Sequence, residues 1–124
     1  MILVDSSIWI DHLRRLDAKL SALLAARVVM CHPFVVGELA CGNLPKRDVF
    51  FPWLSRLPAA PMVAHDEVLA FVQRHGLAGR GIGWIDAHLL ASATIAGRVS
   101  LWTRDKRLAA VAAELDLAYA GALR

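Results

Sequence analysis

Long apolar stretches are missing from this 124-residue chain, and no uninterrupted run approaches the roughly 18 residues that a membrane-spanning helix requires. The opening Met1-Ile2-Leu3-Val4-Asp5 lacks the basic start of a secretory signal. From both we expect a soluble, cytoplasmic protein with no membrane partner. Cysteine is scarce: Cys31 and Cys41 are the only two, and no C-x-x-C pair exists. Reduced, buried thiols are the expectation in a cytoplasmic setting. The five histidines, His12, His32, His65, His75 and His88, show no paired spacing of the kind zinc uses, and Asp86 and His88 would point to different faces of one helix. Ser6 and Ser7 have no G-x-S-x-G setting, which excludes the nucleophilic elbow of serine hydrolases. The one glycine-dense segment, Gly79-Arg80-Gly81-Ile82-Gly83, is neither a Walker loop nor a dinucleotide fingerprint. No Lys-Ser or Lys-Thr follows it, and no apolar strand leads straight into it. It reads as a loop beside a pocket, with Arg80 a candidate phosphate contact.

Lysine is sparse too, three against eleven arginines. Arginine is the better fork for phosphate oxygens, although a GC-rich coding sequence gives the same ratio. Net charge is +3 with a pI near 9.3, a mild bias that suits a polyanionic partner without demanding one. Hydrophobic residues, by contrast, are abundant. At 57% and a mean hydropathy of +0.48, the chain is rich for a soluble domain, so some apolar surface is expected to meet a partner. A single domain over residues 1–124 is expected, burying roughly two-thirds of the surface of its unfolded form.

Along the chain, Ile2 to Asp5 has the pattern of a short buried strand. Ser6-Ser7 then offer capping hydroxyls to a helix with Trp9, Leu13 and Leu16 on one side. Asp17 suits the cap of a second helix, and Val28 to Cys31 a second strand. Pro33 opens a helix running to about Gly42, with Glu38 in its middle. Pro45 opens another that carries Phe50, Trp53, Leu54 and Leu57, followed by a short strand near Met62-Val63. An amphipathic helix after His65-Asp66-Glu67 ends at Gly76, and Asp86 lies at the start of a helix through Ala96. Val99 to Trp102 reads as a strand, Asp105 as the opening of the last main helix, and Leu117 to Tyr119 as a final strand. Such alternation predicts an α/β sandwich around a mostly parallel sheet. The four tryptophans, Trp9, Trp53, Trp84 and Trp102, each stand in apolar runs and are expected in the core rather than stacked on bases.

Four carboxylates stand out. Asp5 ends the run Ile2-Leu3-Val4, Glu38 interrupts Phe34 to Ala40, Asp86 follows Trp84-Ile85, and Asp105 follows Leu101-Trp102-Thr103-Arg104. Each is embedded in or abuts sequence that favours burial, where an unpaired carboxylate is costly. Taken singly, Asp5, Asp86 and Asp105 also fit helix caps, and Glu38 a buried structural pair. Asp5 and the Thr103 to Asp105 segment fall at the carboxyl ends of expected parallel strands, where the functional crevice of an open α/β sheet lies. Like charges about 4 Å apart repel by roughly 4 kcal/mol at an effective dielectric of about 20, and a divalent cation removes that conflict. Oxygen-only ligands favour Mg²⁺, with Mn²⁺ as a substitute, and the matching chemistry is metal-assisted hydrolysis of a phosphodiester.

At these residues the chain resembles the PIN-domain ribonucleases, and most closely the VapC-type toxins of bacterial toxin–antitoxin pairs. Met1 to Ile10 is similar to that family's opening strand and first metal acid. Val36-Gly37-Glu38-Leu39 is similar to its second motif, Gly83 to Ala91 to its third, and Leu101-Trp102-Thr103-Arg104-Asp105-Lys106 to its fourth. The resemblance implies a PIN-like three-layer sandwich and a Mg²⁺- or Mn²⁺-dependent endoribonuclease. Asp5, Glu38, Asp86 and Asp105 would hold the metal and Thr103 would assist. It also implies a homodimer, an RNA substrate, and a small cognate antitoxin seated in an apolar groove. Many relatives carry a further acid two residues after the fourth, where this chain has Arg107. That departure puts a second metal site in doubt and makes Arg107, with Arg80 and Arg104, a candidate RNA contact. It also keeps open an alternative, a catalytically silent PIN-like protein that binds RNA or serves as a scaffold.

Overall fold

The computed structural model of the chain describes residues 1–123. Three short strands form its sheet: β1 (Ile2–Val4) in the centre, with β2 (Val29–Met30) and β3 (Ser100–Trp102) on either side. All pairings are parallel. Val4 lies opposite Trp102, Leu3 opposite Leu101 and Met30, and Ile2 opposite Ser100 and Val29. Leu3, Val4, Leu101 and Trp102 are buried, as strands covered on both faces by helices must be. Single parallel bridges, Cys31 to Ala59 and Leu101 to Ala118, extend the sheet at its two sides. The expected strand at Met62-Val63 does not form. Pairing falls at Ala59 instead, where Ala60 N–H donates to the Cys31 carbonyl at 2.8 Å, and neither Pro58 nor Pro61 has an N–H to continue a ladder. The expected strand at Leu117 to Tyr119 shrinks likewise to the Ala118 bridge.

Among the described residues seven helices flank the sheet: α1 (Ser6–Arg14), α2 (Ala18–Ala25), α3 (Pro33–Ala40), α4 (Arg47–Leu54), α5 (His65–Arg74), α6 (Trp84–Ala96) and α7 (Lys106–Glu114), and a 3₁₀ turn follows over Ala120–Leu123. Helix α1 ends before Leu16, which is 79% exposed rather than packed with Trp9 and Leu13. Asp17 caps α2 as expected, accepting from Leu20 N–H at 3.0 Å. Pro45 stands outside α4, because Lys46 adopts a left-handed conformation (φ 54°) as the cap and the helix starts at Arg47, two residues after the proline. Trp9 and Trp102 are core residues, but Trp53 and Trp84 are each 39% exposed, so half of the tryptophan expectation is corrected. Among the described residues no helix is long and apolar enough to cross a membrane.

Helix α6 is the central pillar. Its residues Ala87 to Ala93 are all buried, and a helix apolar all round belongs in a core. One polar lock fastens it. The fully buried His32 accepts from Phe34 N–H through Nδ1 at 2.9 Å, capping α3, so its proton resides on Nε2. Nε2 lies 3.0 Å from Ser92 Oγ on α6, and that hydroxyl donates to the Pro61 carbonyl at 2.7 Å. Burial, with His88 adding to it, pushes the His32 pKa down from 6.5 to about 4.

A histidine held neutral in the fold stabilises above its unfolded pKa, and that contribution fades as the pH falls from 6.5 toward 4. Denaturant titrations from pH 7 to pH 4 should therefore show a loss on the order of 3 kcal/mol. His32→Asn, which keeps an acceptor for the cap, should be less stable at pH 7 and flatter across the window. A wild-type profile that stays level contradicts this assignment.

Candidate active site

The parallel pairing of β1 with β3 carries Asp5 and Thr103 off neighbouring strand ends side by side. Asp5 N–H donates to the Trp102 carbonyl at 3.0 Å, and Thr103 Oγ1 donates to Asp5 Oδ2 at 2.7 Å. Asp5 also caps α1, accepting from Ser6 N–H at 2.8 Å, while Ser7 Oγ donates to its second oxygen at 2.9 Å. Ser6 and Ser7 are thus not the caps that their composition suggested. They lie in the first turn of α1, and their hydroxyls turn onto the carboxylates. The signal was present in Asp5-Ser6-Ser7, because a residue at the cap position holds the next two within reach of its side chain. Asp5 is buried, 6% exposed, with both of its oxygens satisfied.

The other three acids surround it. Asp86, in the first turn of α6, accepts from Gly83 N–H through Oδ2 at 3.0 Å, and Asp105 caps α7, accepting from the Arg107 and Leu108 N–H groups through Oδ1. Thr103 Oγ1 also accepts from Asp105 N–H at 3.1 Å, tying the fourth acid to the first. Glu38 reaches the group from α3, where its Oε1 accepts from Ser6 Oγ at 3.3 Å. That hydroxyl has one proton and also lies 3.4 Å from Asp5 Oδ1, so it serves two carboxylates in turn. Capping and convergence coexist, since each cap occupies one oxygen. Oδ1 of Asp86, Oδ2 of Asp105 and Oε2 of Glu38 accept no hydrogen bond among the described residues.

Burial is uneven, which corrects the expectation that all four acids lie in buried surroundings. Only Asp5 is buried; Asp86 is half-buried, and Glu38 and Asp105 stand exposed at the rim, Glu38 on the outer rather than the inner face of α3. Desolvation, followed by the Asp5 charge and then the weaker Asp86 charge, pushes the Glu38 carboxyl up, against the Ser6 hydrogen bond. Desolvation also raises Asp86, with Asp5 and Asp105 adding to it and the Gly83 N–H opposing. Glu38 thus senses Asp5 and Asp86, and Asp86 senses Asp5 and Asp105. Among the described residues no three His, Cys, Asp or Glu side chains form a ready-made metal cage. Mg²⁺ does not need one, because it takes one or two carboxylates and keeps several waters, and an all-oxygen donor set with unused oxygens suits such an ion.

The three candidate RNA contacts part company. Arg80 is bound to Glu114 at 2.6 Å, and Arg104 pairs with Asp11 and with Asp17 at 3.0 Å. Arg107 makes no ion pair among the described residues. Beside Glu38 lies an open, largely apolar hollow of about 470 Å³ lined by Phe34, Gly37, Cys41, Trp84 and Ile85. The exposed Trp84 and this hollow were not legible in advance, because an apolar run does not reveal which of its members reach the surface.

A carboxyl raised in the fold contributes stability that is present below its unfolded pKa and lost as the pH climbs through the folded value. Without added metal, Glu38→Gln at pH 7.5 should match wild type or melt higher by no more than about 2 °C, the effect being small for an exposed group. Mg²⁺ should raise the melting temperature of wild type more than that of the variant. A clear loss of metal-free stability in Glu38→Gln would show that the carboxylate is a structural partner instead.

Comparison with known proteins identifies the family. The family model described as PIN domain matches residues 2–114. Ribonuclease VapC32 of Mycobacterium tuberculosis, in the CDC 1551 and H37Rv strains alike, is 52% identical over 120 residues, covering 97% of this chain and 97% of that protein. The match spans all four acid-bearing segments, the ends of β1 and β3, the middle of α3 and the start of α6. The chain belongs to the PIN-domain family, in its VapC-type branch.

Proposed function

We propose that the chain is a metal-dependent endoribonuclease toxin of the VapC type, cutting phosphodiester bonds of cytoplasmic RNA as a homodimer and silenced by a small cognate antitoxin. The observation that carries this is the gathering of Asp5, Glu38, Asp86 and Asp105 from four separate segments into one interacting group with three unused carboxylate oxygens. These four residues would hold Mg²⁺, or Mn²⁺ in its place. When bound, the ion eases deprotonation of an attacking water and stabilises charge on the phosphodiester oxygens.

The chain's own groups set the rest. Asp5 is the fixed point, since Ser6 N–H, Ser7 Oγ and Thr103 Oγ1 hold both of its oxygens and keep it from reorienting. Thr103 assists by orienting Asp5 and Asp105 together. Glu38 and Asp86, whose carboxyls are pushed up by desolvation and by the neighbouring acids, are the groups whose charge a bound cation would relieve. Ser6 and Ser7 are committed to carboxylates and are not nucleophiles, which favours direct attack by water over a covalent intermediate. Single-stranded or looped RNA is the fitting substrate class, because its backbone and bases are accessible.

The test is cleavage of end-labelled single-stranded RNA by purified, antitoxin-free protein, with Mg²⁺ and with chelator, against Asp5→Asn and Asp86→Asn. Wild type should cut only with the divalent ion, and each variant should lose at least about a hundredfold in rate. Equal cutting by all three proteins, or cutting that survives the chelator, overturns the proposal. RNA binding with no cleavage under any condition favours the silent, scaffold-like alternative that Arg107 kept open.

A further inference from the structure

The glycine-dense loop and the unpaired arginine of α7 belong together. Gly81 has a positive φ of 80°, and a Cβ placed there would fall 2.5 Å from Arg107 Cδ, 2.8 Å from Nη1 and 3.0 Å from Nε. The Arg107 side chain therefore rests directly on the backbone of Gly81, in space that any other residue would fill. The loop is also fastened further along α7, where Arg80 binds Glu114 at 2.6 Å. Residues 107 and 114 are two helical turns apart on one face, roughly 10 Å by helix rise, so the loop lies along that face.

Both ends of this contact border the acids. Arg107 N–H donates to Asp105 Oδ1 at 2.9 Å, and the loop ends at Gly83, whose N–H donates to Asp86 Oδ2 at 3.0 Å. An exposed arginine two residues along the chain from Asp105 would commonly pair with a nearby carboxylate. Arg107 does not: no carboxylate among the described residues lies within ion-pair distance of it, whereas Arg80 and Arg104 are both spoken for. An exposed guanidinium that rests against the Gly81 backbone, with no ion pair among the described residues, keeps its forked donors for an anion brought from outside. We propose that Arg107, seated on Gly81, forms a subsite for a backbone phosphate of the RNA strand beside the acidic group. This rests on the ribonuclease reading above and adds a named phosphate contact to it.

Binding separates the two claims. Fluorescence anisotropy of a labelled 12-nucleotide single-stranded RNA, from 50 to 200 mM KCl, is measured in an Asp86→Asn background so that the probe stays intact. Adding Arg107→Ala should weaken binding about tenfold at low salt and reduce the slope of log affinity against log salt by about 0.7, the contribution of one phosphate on a single strand. Arg107→Lys should keep the slope but recover only part of the affinity, because an ammonium is a point charge without the fork. Gly81→Ala should weaken binding in the same direction but keep more of the slope, since its methyl shifts the guanidinium and leaves its charge. Circular dichroism checks that it is folded, and Arg107→Ala decides the matter alone if it is not. Unchanged affinity and slope in Arg107→Ala overturn the subsite, while wild-type cleavage in the same preparation leaves the ribonuclease reading standing. No RNA binding and no cleavage by any form overturns both.

Discussion

Parallel pairing of β1 with β3 in a single register is the constraint from which the site follows. With Val4 opposite Trp102, the next residue of each strand leaves the sheet at the same rim, and Asp5 meets Thr103 there. A slip of one residue would reverse which side chains face the core and would send Asp5 away from its hydroxyl partner. The pairing is pinned from both sides of the sheet by buried side chains, among them Leu3, Val4, Leu101 and the leucines of α6. Packing thus fixes the position of the first acid; the helices after β2 and β3 bring Glu38 and Asp105 to it, and the start of α6 brings Asp86.

The acids divide into two kinds. Asp5 is inside the protein and fully satisfied, so it costs little to bury and moves little. Glu38, Asp86 and Asp105 are half-buried or exposed and only half satisfied, and water softens their mutual repulsion. A deep pocket of four equally buried carboxylates would be prohibitively unfavourable without a cation. The graded arrangement lets the protein fold first and leaves free oxygens at the mouth.

Much of this was legible in the residues. Asp5 and Asp105 were readable because each ends an apolar run and begins a helix, a pattern that places a carboxylate at the rim of a parallel sheet. Helix caps were readable at Asp17, and the Pro33 start of α3 was too, because capping and proline chemistry are local. The outer threads of the sheet were not, since Ala59 and Ala118 contribute one bridge each and their neighbourhoods lack the repeated pattern that a longer strand would show. The outward face of Glu38 was likewise hidden: apolar flanks on a helix indicate that the helix is packed, but only the packing partners decide which face is covered. Trp53 and Trp84 were misjudged for the same reason. The second role of Ser6 depended on a contact with Glu38 of α3, 32 residues away, which no local rule contains.

The outer thread on the β2 side has a consequence beyond the site. It carries Pro58 and Pro61 on either side of the residues that bridge to Cys31. Proline offers no amide hydrogen; Pro58 faces Cys31, whereas Pro61 alternates to the side away from it, so a neighbouring molecule that tried to add a strand there would find a gap where a donor should be. With so large a share of apolar residues, the chain is the kind that sticks to itself when its borders are left open, and here the border is blunted by its own covalent structure.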